Sequence, residues 1–341
     1  MRALPFYGFV LVLGCAEDTL GSTTSDTATS ATATATTEMS LSSSGPSGSS
    51  ESSGSNAPTS STGAVDTESS DGTTGDVPCR GLGCACTGAC DAGLECSAEG
   101  FCVPPGMVWV PEGEFLRGCT IDDEPFCDDD EGPMASVFVS AYAIDRTEVT
   151  EVAFEVCVQA GNCTAPQCAK GIGEMAYDPI NNGDLPVDCV TWDMASAYCT
   201  WASKRLPTEA EWEKAARGVD GRRFPWGNSP EPTCEHVIMA ENKKGCDVGD
   251  RWAVGSKPLG TSPYGAVDML GSVSEWASDW YAGYDPRALM DPKGPMDGTF
   301  RLSRGGSFVS SDASNLRTTF RARVVPEEQG VGRGFRCAWA D

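Results

Sequence analysis

An α+β fold, poor in regular structure and tied together by disulfides, is what the sequence predicts for its C-terminal two thirds. Three observations carry that expectation. The chain of 341 residues holds 17 cysteines, a number that implies folding in an oxidising compartment. All nine tryptophans fall between Trp109 and Trp339, so the large aromatic side chains that build a core are confined there. In the same region, short extended and helical patterns alternate between Gly and Pro turns, with no long periodic run.

Taken in order, Met107–Pro111 followed by Glu112–Phe115 reads as strand, turn, strand, and Val137–Ile144 alternates like a further strand. A helix is expected from Thr150 to about Ala160, ending at Gly161. A short strand at Val187–Val190 leads into a second helix over Asp193–Ser203. The third helix has the clearest signal. Thr208 with Glu211 three residues on forms a capping box, and Gly218 supplies the stop, so the motif reads as a well-capped helix with no further role. Beyond Gly218 the expectation is turns and short extended pieces.

The N-terminal third has a different character. Arg2 precedes an apolar run, Ala3–Leu13, too short to span a bilayer but suited to a signal-peptide core. It ends Val12-Leu13-Gly14-Cys15, which resembles the lipobox of bacterial lipoproteins, so residues 1–15 read as a lipoprotein-type signal segment, with cleavage expected just before a lipid-modified Cys15. Lipidation of one cysteine leaves an even number for disulfides. By the same resemblance, Ala16 implies outer-membrane sorting, with the lipid as the only membrane attachment. Residues 16–78 form a tether. More than half of residues 21–77 are Ser or Thr, and no Lys or Arg occurs between Arg2 and Arg80, so apolar burial cannot offset the ordering entropy. Residues 79–102 hold six cysteines (Cys79, Cys84, Cys86, Cys90, Cys96 and Cys102) and read as a small crosslinked module whose pairing the sequence leaves open.

Charge and histidine content exclude several functions. A formal charge of −25 speaks against nucleic acid, whose binding starts from a basic surface. The single histidine, His236, excludes three-His zinc, two-His-one-carboxylate iron and HExxH zinc sites; it is expected in a turn or at the surface. The acids Asp122, Asp123, Glu124, Asp128, Asp129, Asp130 and Glu131 are expected to be a solvated loop.

Seven segments over about 105–341 together resemble the formylglycine-generating enzyme, or sulfatase-modifying factor, family. They are IDRTEVT (144–150), PVDCVTW (186–192), KRLPTEAEWEKAARG (204–218), FPWGN (224–228), SPYGAVDMLGSVSEWASDWY (262–281), RGGSF (304–308) and GFRCA (334–338). The resemblance implies a C-type-lectin-like fold. It also implies a structural calcium ion held by Asp268, the carbonyls of Gly271 and Val273, and Glu275, a donor set of hard oxygens that suits calcium. A second calcium site would fall near Asp247 or Asp250. One disulfide carries over, Cys199 to Cys337; Cys119–Cys127 and Cys234–Cys246 are expected as local pairs, with two more among Cys157, Cys163, Cys168 and Cys189.

The family's oxidase binds copper(I) through two cysteines just after the GGS motif. Counted from Gly305 and Gly306, those positions are Ser310 and Asn315 here. Copper(I) is soft and selects thiolate or thioether, so neither copper nor copper-dependent formylglycine synthesis is expected. The expected function is therefore a non-catalytic binding or scaffold domain on a surface lipoprotein, with a protein, peptide or glycan ligand. Trp276 and Trp280 are candidate contacts, with core packing as their ordinary role. The alternative is an oxidoreductase or other enzyme using the family's groove, where Ser310, Asp312 and Arg317 are the candidate polar residues.

Overall fold

A computed structural model of the protein describes residues 83–86, 90–98, 100–120, 126–167, 176–241 and 244–339. Cys15, the tether, Cys79 and Cys168 lie outside them. None of the helices in the described residues is long and apolar enough to cross a membrane.

The cysteine-rich module is a two-stranded antiparallel ribbon, β1 (Glu95–Cys96) on β2 (Cys102–Val103). The Cys86–Cys96 and Cys90–Cys102 bridges staple it, as a segment too short for a core requires. β3 (Met107–Val110) then pairs not with the next strand but with β6 (Tyr142–Asp145), while β4 (Gly113–Arg117) pairs with β5 (Ala135–Val139). The single strand expected over Val137–Ile144 is thus two strands in two sheets. The break has a local cause: Ser140 donates its N–H and hydroxyl to the two carboxylate oxygens of Asp291, at 2.6 and 2.8 Å, which pulls the chain out of one ladder before the next begins.

Three helices follow, each with a threonine N-cap. Thr150 caps α1 (Glu151–Gln159), Thr191 caps α2 (Trp192–Trp201) and Thr208 caps α3 (Glu209–Arg217) with both halves of its capping box formed. Gly218 ends α3 at φ +71°, a conformation that favours glycine. The strand expected at Val187–Val190 is absent. Cys189 sits at φ +60°, and only Val187 reaches backbone across the fold, donating to the Val149 carbonyl.

The longest strand, β7 (Ser274–Trp280), lies where turns were expected. It centres a four-stranded sheet with β8 (Arg301–Arg304), β9 (Arg321–Val324) and β10 (Arg333–Gly334) in the order β10-β7-β8-β9. The short C-terminal strand β11 (Ala338–Trp339) returns to β6, so the two ends of the domain share one sheet. One core packs α3, through Trp212, against β3 to β6; a second packs α1 and α2 around Phe154, Tyr198 and Phe335. The Cys199–Cys337 disulfide lies in that second core, with both cysteines fully buried. Cys119–Cys127, Cys157–Cys163 and Cys234–Cys246 are also bridged.

Candidate functional site

β8 delivers the chain into Gly305 and Gly306, at φ +88° and +69°. Both must be glycine: a Cβ on Gly305 would come within 2.7 Å of the Met269 carbonyl oxygen, and one on Gly306 within 2.7 Å of the Asn315 carbonyl oxygen and 3.2 Å of Ser310 Oγ. Ser310 and Asn315 are therefore brought together over Gly306, both half-buried. Ser310 Oγ accepts the Ser307 N–H at 3.1 Å, and its carbonyl accepts from Ala240. Among the described residues no general base is hydrogen-bonded to this hydroxyl. Asp312 is exposed and caps a short 3-10 turn by accepting from Ser314 N, which holds its carboxyl below the usual range.

Arg317 does not belong to this rim. Its guanidinium is wholly buried and forms a bidentate pair with Glu131 at 2.6 and 2.7 Å. Glu131 correspondingly departs from the solvated loop expected for residues 122–131; burial raises its pKa despite the opposing pull of Arg317. Trp276 is likewise core, fully buried with its indole N–H on the Val190 carbonyl. Trp280 is half-buried, with the Arg301 guanidinium 3.6 Å from its ring centre. His236 is in a turn, as expected, but buried, stacked on Trp226 at 4.8 Å. Asp250 pairs with Arg251 at 3.0 Å, both buried.

The residues named for calcium meet at the start of β7. Asp268, Gly271 and Ser272 all have positive φ, so the backbone curls tightly before the strand begins. Asp268 accepts from Gly255 N at 2.5 Å. Glu275 receives Arg336 at 2.7 and 2.8 Å and the Trp212 indole N–H at 2.8 Å. A third acid, unsuspected from sequence, stands beside them: Glu148 is 2% exposed, and neither carboxylate oxygen has a hydrogen-bond donor. Burial, then the Asp268 and Glu275 charges, push Glu148 well above its ordinary pKa; burial also raises Asp268. Of the three buried carboxylates, Arg336 bonds Glu275, while Glu148 and Asp268 face one another with raised pKa values. Adjacent buried carboxylates on hard oxygens, without a bonded guanidinium of their own, fit a divalent cation of the calcium type.

A second charged cluster, also missed in the sequence, surrounds α3. Glu209 binds Arg321 at 2.6 Å and Arg304 at 3.2 Å; Glu213 binds Arg304 at 2.9 Å and Arg217 at 2.8 Å. Burial opposes ionisation of Glu209, but Arg321 and Arg304 outweigh it and lower its pKa. The signal that could have found it is Glu209 and Glu213 four residues apart on one helix face, an acidic row with no cation of its own at that spacing except Arg217.

With this geometry in view, comparisons with known proteins are consistent across sequence and fold. The model of the sulfatase-modifying factor enzyme 1-like domain matches residues 97–341. A formylglycine-generating enzyme of Thermomonospora curvata is 33% identical over 288 residues, spanning 69% of this chain and 94% of the relative. A mouse protein called inactive C-alpha-formylglycine-generating enzyme 2 is 31% identical over 286 residues, spanning 70% and 87%. Among solved structures, PvdO from Pseudomonas aeruginosa superposes with a TM-score of 0.58 at 25% identity, covering 68% of this chain and 93% of that one. Treponema denticola variable protein 1 shares the fold with a TM-score of 0.55 at 24% identity, covering 68% and 94%. The α+β, C-type-lectin-like architecture and the ordered motifs agree, and the chain belongs to the sulfatase-modifying factor, or formylglycine-generating enzyme, family.

Proposed function

We propose that this member of the family is a non-catalytic binding or scaffold domain, displayed on the cell envelope by a lipid on Cys15 and a long Ser/Thr tether. The observation that carries the reading is the pair Ser310 and Asn315 over Gly306. A hydroxyl and an amide are hard, weak donors where the family's oxidase places two thiolates, and a serine without a neighbouring base is a poor nucleophile. A relative named as inactive at 31% identity supports the same reading.

In this proposal calcium is structural, held by Asp268, Glu275 and the carbonyls of Gly271 and Val273, with Glu148 supplying a further carboxylate. The ion would neutralise the excess charge and fix the turn that leads into β7. The ligand is a protein, peptide or glycan, nucleic acid is excluded by charge, and the lipid is the only contact with the membrane.

Metal analysis of the full chain, secreted with its disulfides formed, tests the proposal. The expected result is calcium near one per chain with copper and iron at background, and no consumption of oxygen with a cysteine-containing peptide. Copper or iron near one per chain, or peptide-dependent oxygen uptake, would overturn it.

A further inference from the structure

A cavity of about 280 Å³ opens beside the N-terminus of α3, between β4 and the segment Asp279–Pro295. None of the residues lining it belongs to the Gly306 turn or to the acid cluster around Asp268. Arg117, the last residue of β4, forms one wall. It is 4% exposed, yet its guanidinium makes no hydrogen bond and no ion pair among the described residues, and its Nε is buried without a partner.

Its direction is fixed. The guanidinium stacks on the Tyr284 ring at 4.0 Å from the centre. The next residue, Gly118, is locked at φ +76°, donates its N–H to Glu213 at 2.7 Å and has no room for a Cβ against the Glu131 carbonyl. Arg321 approaches the same ring at 4.3 Å and provides the contrast. All three of its guanidinium nitrogens are bonded, to both oxygens of Glu209 and to the carbonyls of Asp130 and Ala282. One guanidinium at Tyr284 is bonded through every nitrogen, and the other keeps its donors for something else. Glu209 and Asp285 offset the Arg117 charge through space without bonding it, and buried donors left open are costly unless a partner arrives.

The acids around the cavity are already engaged. Glu209 faces Arg304 and Arg321. Asp279 accepts from Glu209 N, Ser278 Oγ and Gly294 N. Asp285 is held by Arg287, which keeps its carboxyl at about 2. Lys293, exposed at the rim, adds a second positive charge without a bonded partner.

We propose that this cavity binds a singly charged oxoanion, a carboxylate or a sulfate monoester, on the open edge of Arg117 with Lys293 at its mouth. The planar guanidinium fork matches two oxygens of such a group, and the aromatic ring behind it holds the fork in place. Asp279 and Asp285 disfavour a dianion, which separates these groups from a phosphate monoester. The site is independent of whether the Gly306 rim is catalytic.

Calorimetric titration of the full chain at pH 7.5 and low salt, with N-acetylglycine, methyl sulfate and methyl phosphate as probes, tests it. At least one monoanion binds, several-fold tighter than methyl phosphate. N-acetylglycine as the tighter probe assigns a peptide carboxylate, and methyl sulfate a sulfated ligand. Arg117→Met, which keeps the stacking volume, weakens that probe about tenfold or more; Lys293→Gln weakens it about two- to threefold, and Lys293→Glu about tenfold. If Arg117→Met does not fold, the exposed Lys293 variants decide. No binding of either monoanion, tightest binding of methyl phosphate, or affinity unchanged in the variants that fold would overturn the proposal.

Discussion

Two buried charge clusters lie on either side of Trp212, and they are built to opposite rules. On one side, Glu209 and Glu213 of α3 meet Arg217, Arg304 and Arg321, and both carboxylates are paired at 2.6 to 3.2 Å. On the other, Arg336 pairs with Glu275, while Glu148 and Asp268 face one another and, among the described residues, neither carboxylate has a guanidinium or ammonium bonded to it. Trp212 touches both, donating its indole N–H to Glu275 while Arg304 lies 5.3 Å from its ring centre. In the first cluster each carboxylate is bonded to guanidiniums of the chain itself and works as scaffold. In the second, Glu148 and Asp268 lack such a bond, which is the physical argument for an external cation. Buried ionic groups differ less in how deep they lie than in whether the chain itself balances them.

The largest effect is expected from breaking the balanced cluster. Arg304→Met leaves Glu213 and Glu209 short of a buried partner, and should cost about 3–5 kcal/mol in denaturant unfolding. A loss under about 1 kcal/mol would mean that the arginines around α3 are not needed to compensate its acids.

Asp279 probes the edge of the same cluster. Burial, then the neighbouring Glu209 charge, push its carboxyl up to about 6. Because this value is raised above that of the unfolded chain, stability is highest below about pH 4 with respect to this group and falls as pH rises through 6. The shift corresponds to about 3 kcal/mol between pH 4 and pH 7. Unfolding free energies across that range should show the wild type losing more stability than Asp279→Asn; parallel profiles would remove Asp279 from the account.

The unbalanced cluster should respond to calcium instead. At a concentration a hundred times the dissociation constant, the ion should stabilise the chain by about 2.7 kcal/mol, read as a rise in the urea midpoint with unchanged slope. Glu148→Gln and Asp268→Asn should reduce that rise, whereas a full response in both would place any calcium elsewhere. In metal-free buffer, Glu148→Gln should be close to neutral, since burial and the Asp268 charge already favour the uncharged acid there.

Legibility from sequence followed interaction range. The helices were readable because their signals act within a turn or two: the Thr208 capping box, and the glycines Gly161 and Gly218 that follow the first and third helices; the structure adds Thr150 and Thr191 as further N-caps. The ordered family motifs were enough for the fold class, and the count from Gly305 and Gly306 placed Ser310 and Asn315 at one rim. β7 was not readable, because its alternation is hidden: Glu275 and Asp279 are buried acids in a strand whose apolar residues alone would have marked it. Arg317 looked like a groove residue because its partner, Glu131, lies 186 positions away in sequence. Glu148, Arg117 and the arginines around α3 were invisible for the same reason.

Composition and local pattern alone determined the acidic charge and the capped helices, and the resemblance to the family placed Ser310 and Asn315 where its oxidase has two cysteines. Each of these depends on residue identity or on neighbours within a few positions. Tertiary structure alone decided which charges are balanced. Glu209 is bonded to guanidiniums and Glu148 is not, and Arg321 is bonded through every nitrogen while Arg117 is open. The cost of a buried charge is set by the groups that long-range folding brings within hydrogen-bond distance, and those distances do not exist until the chain has closed.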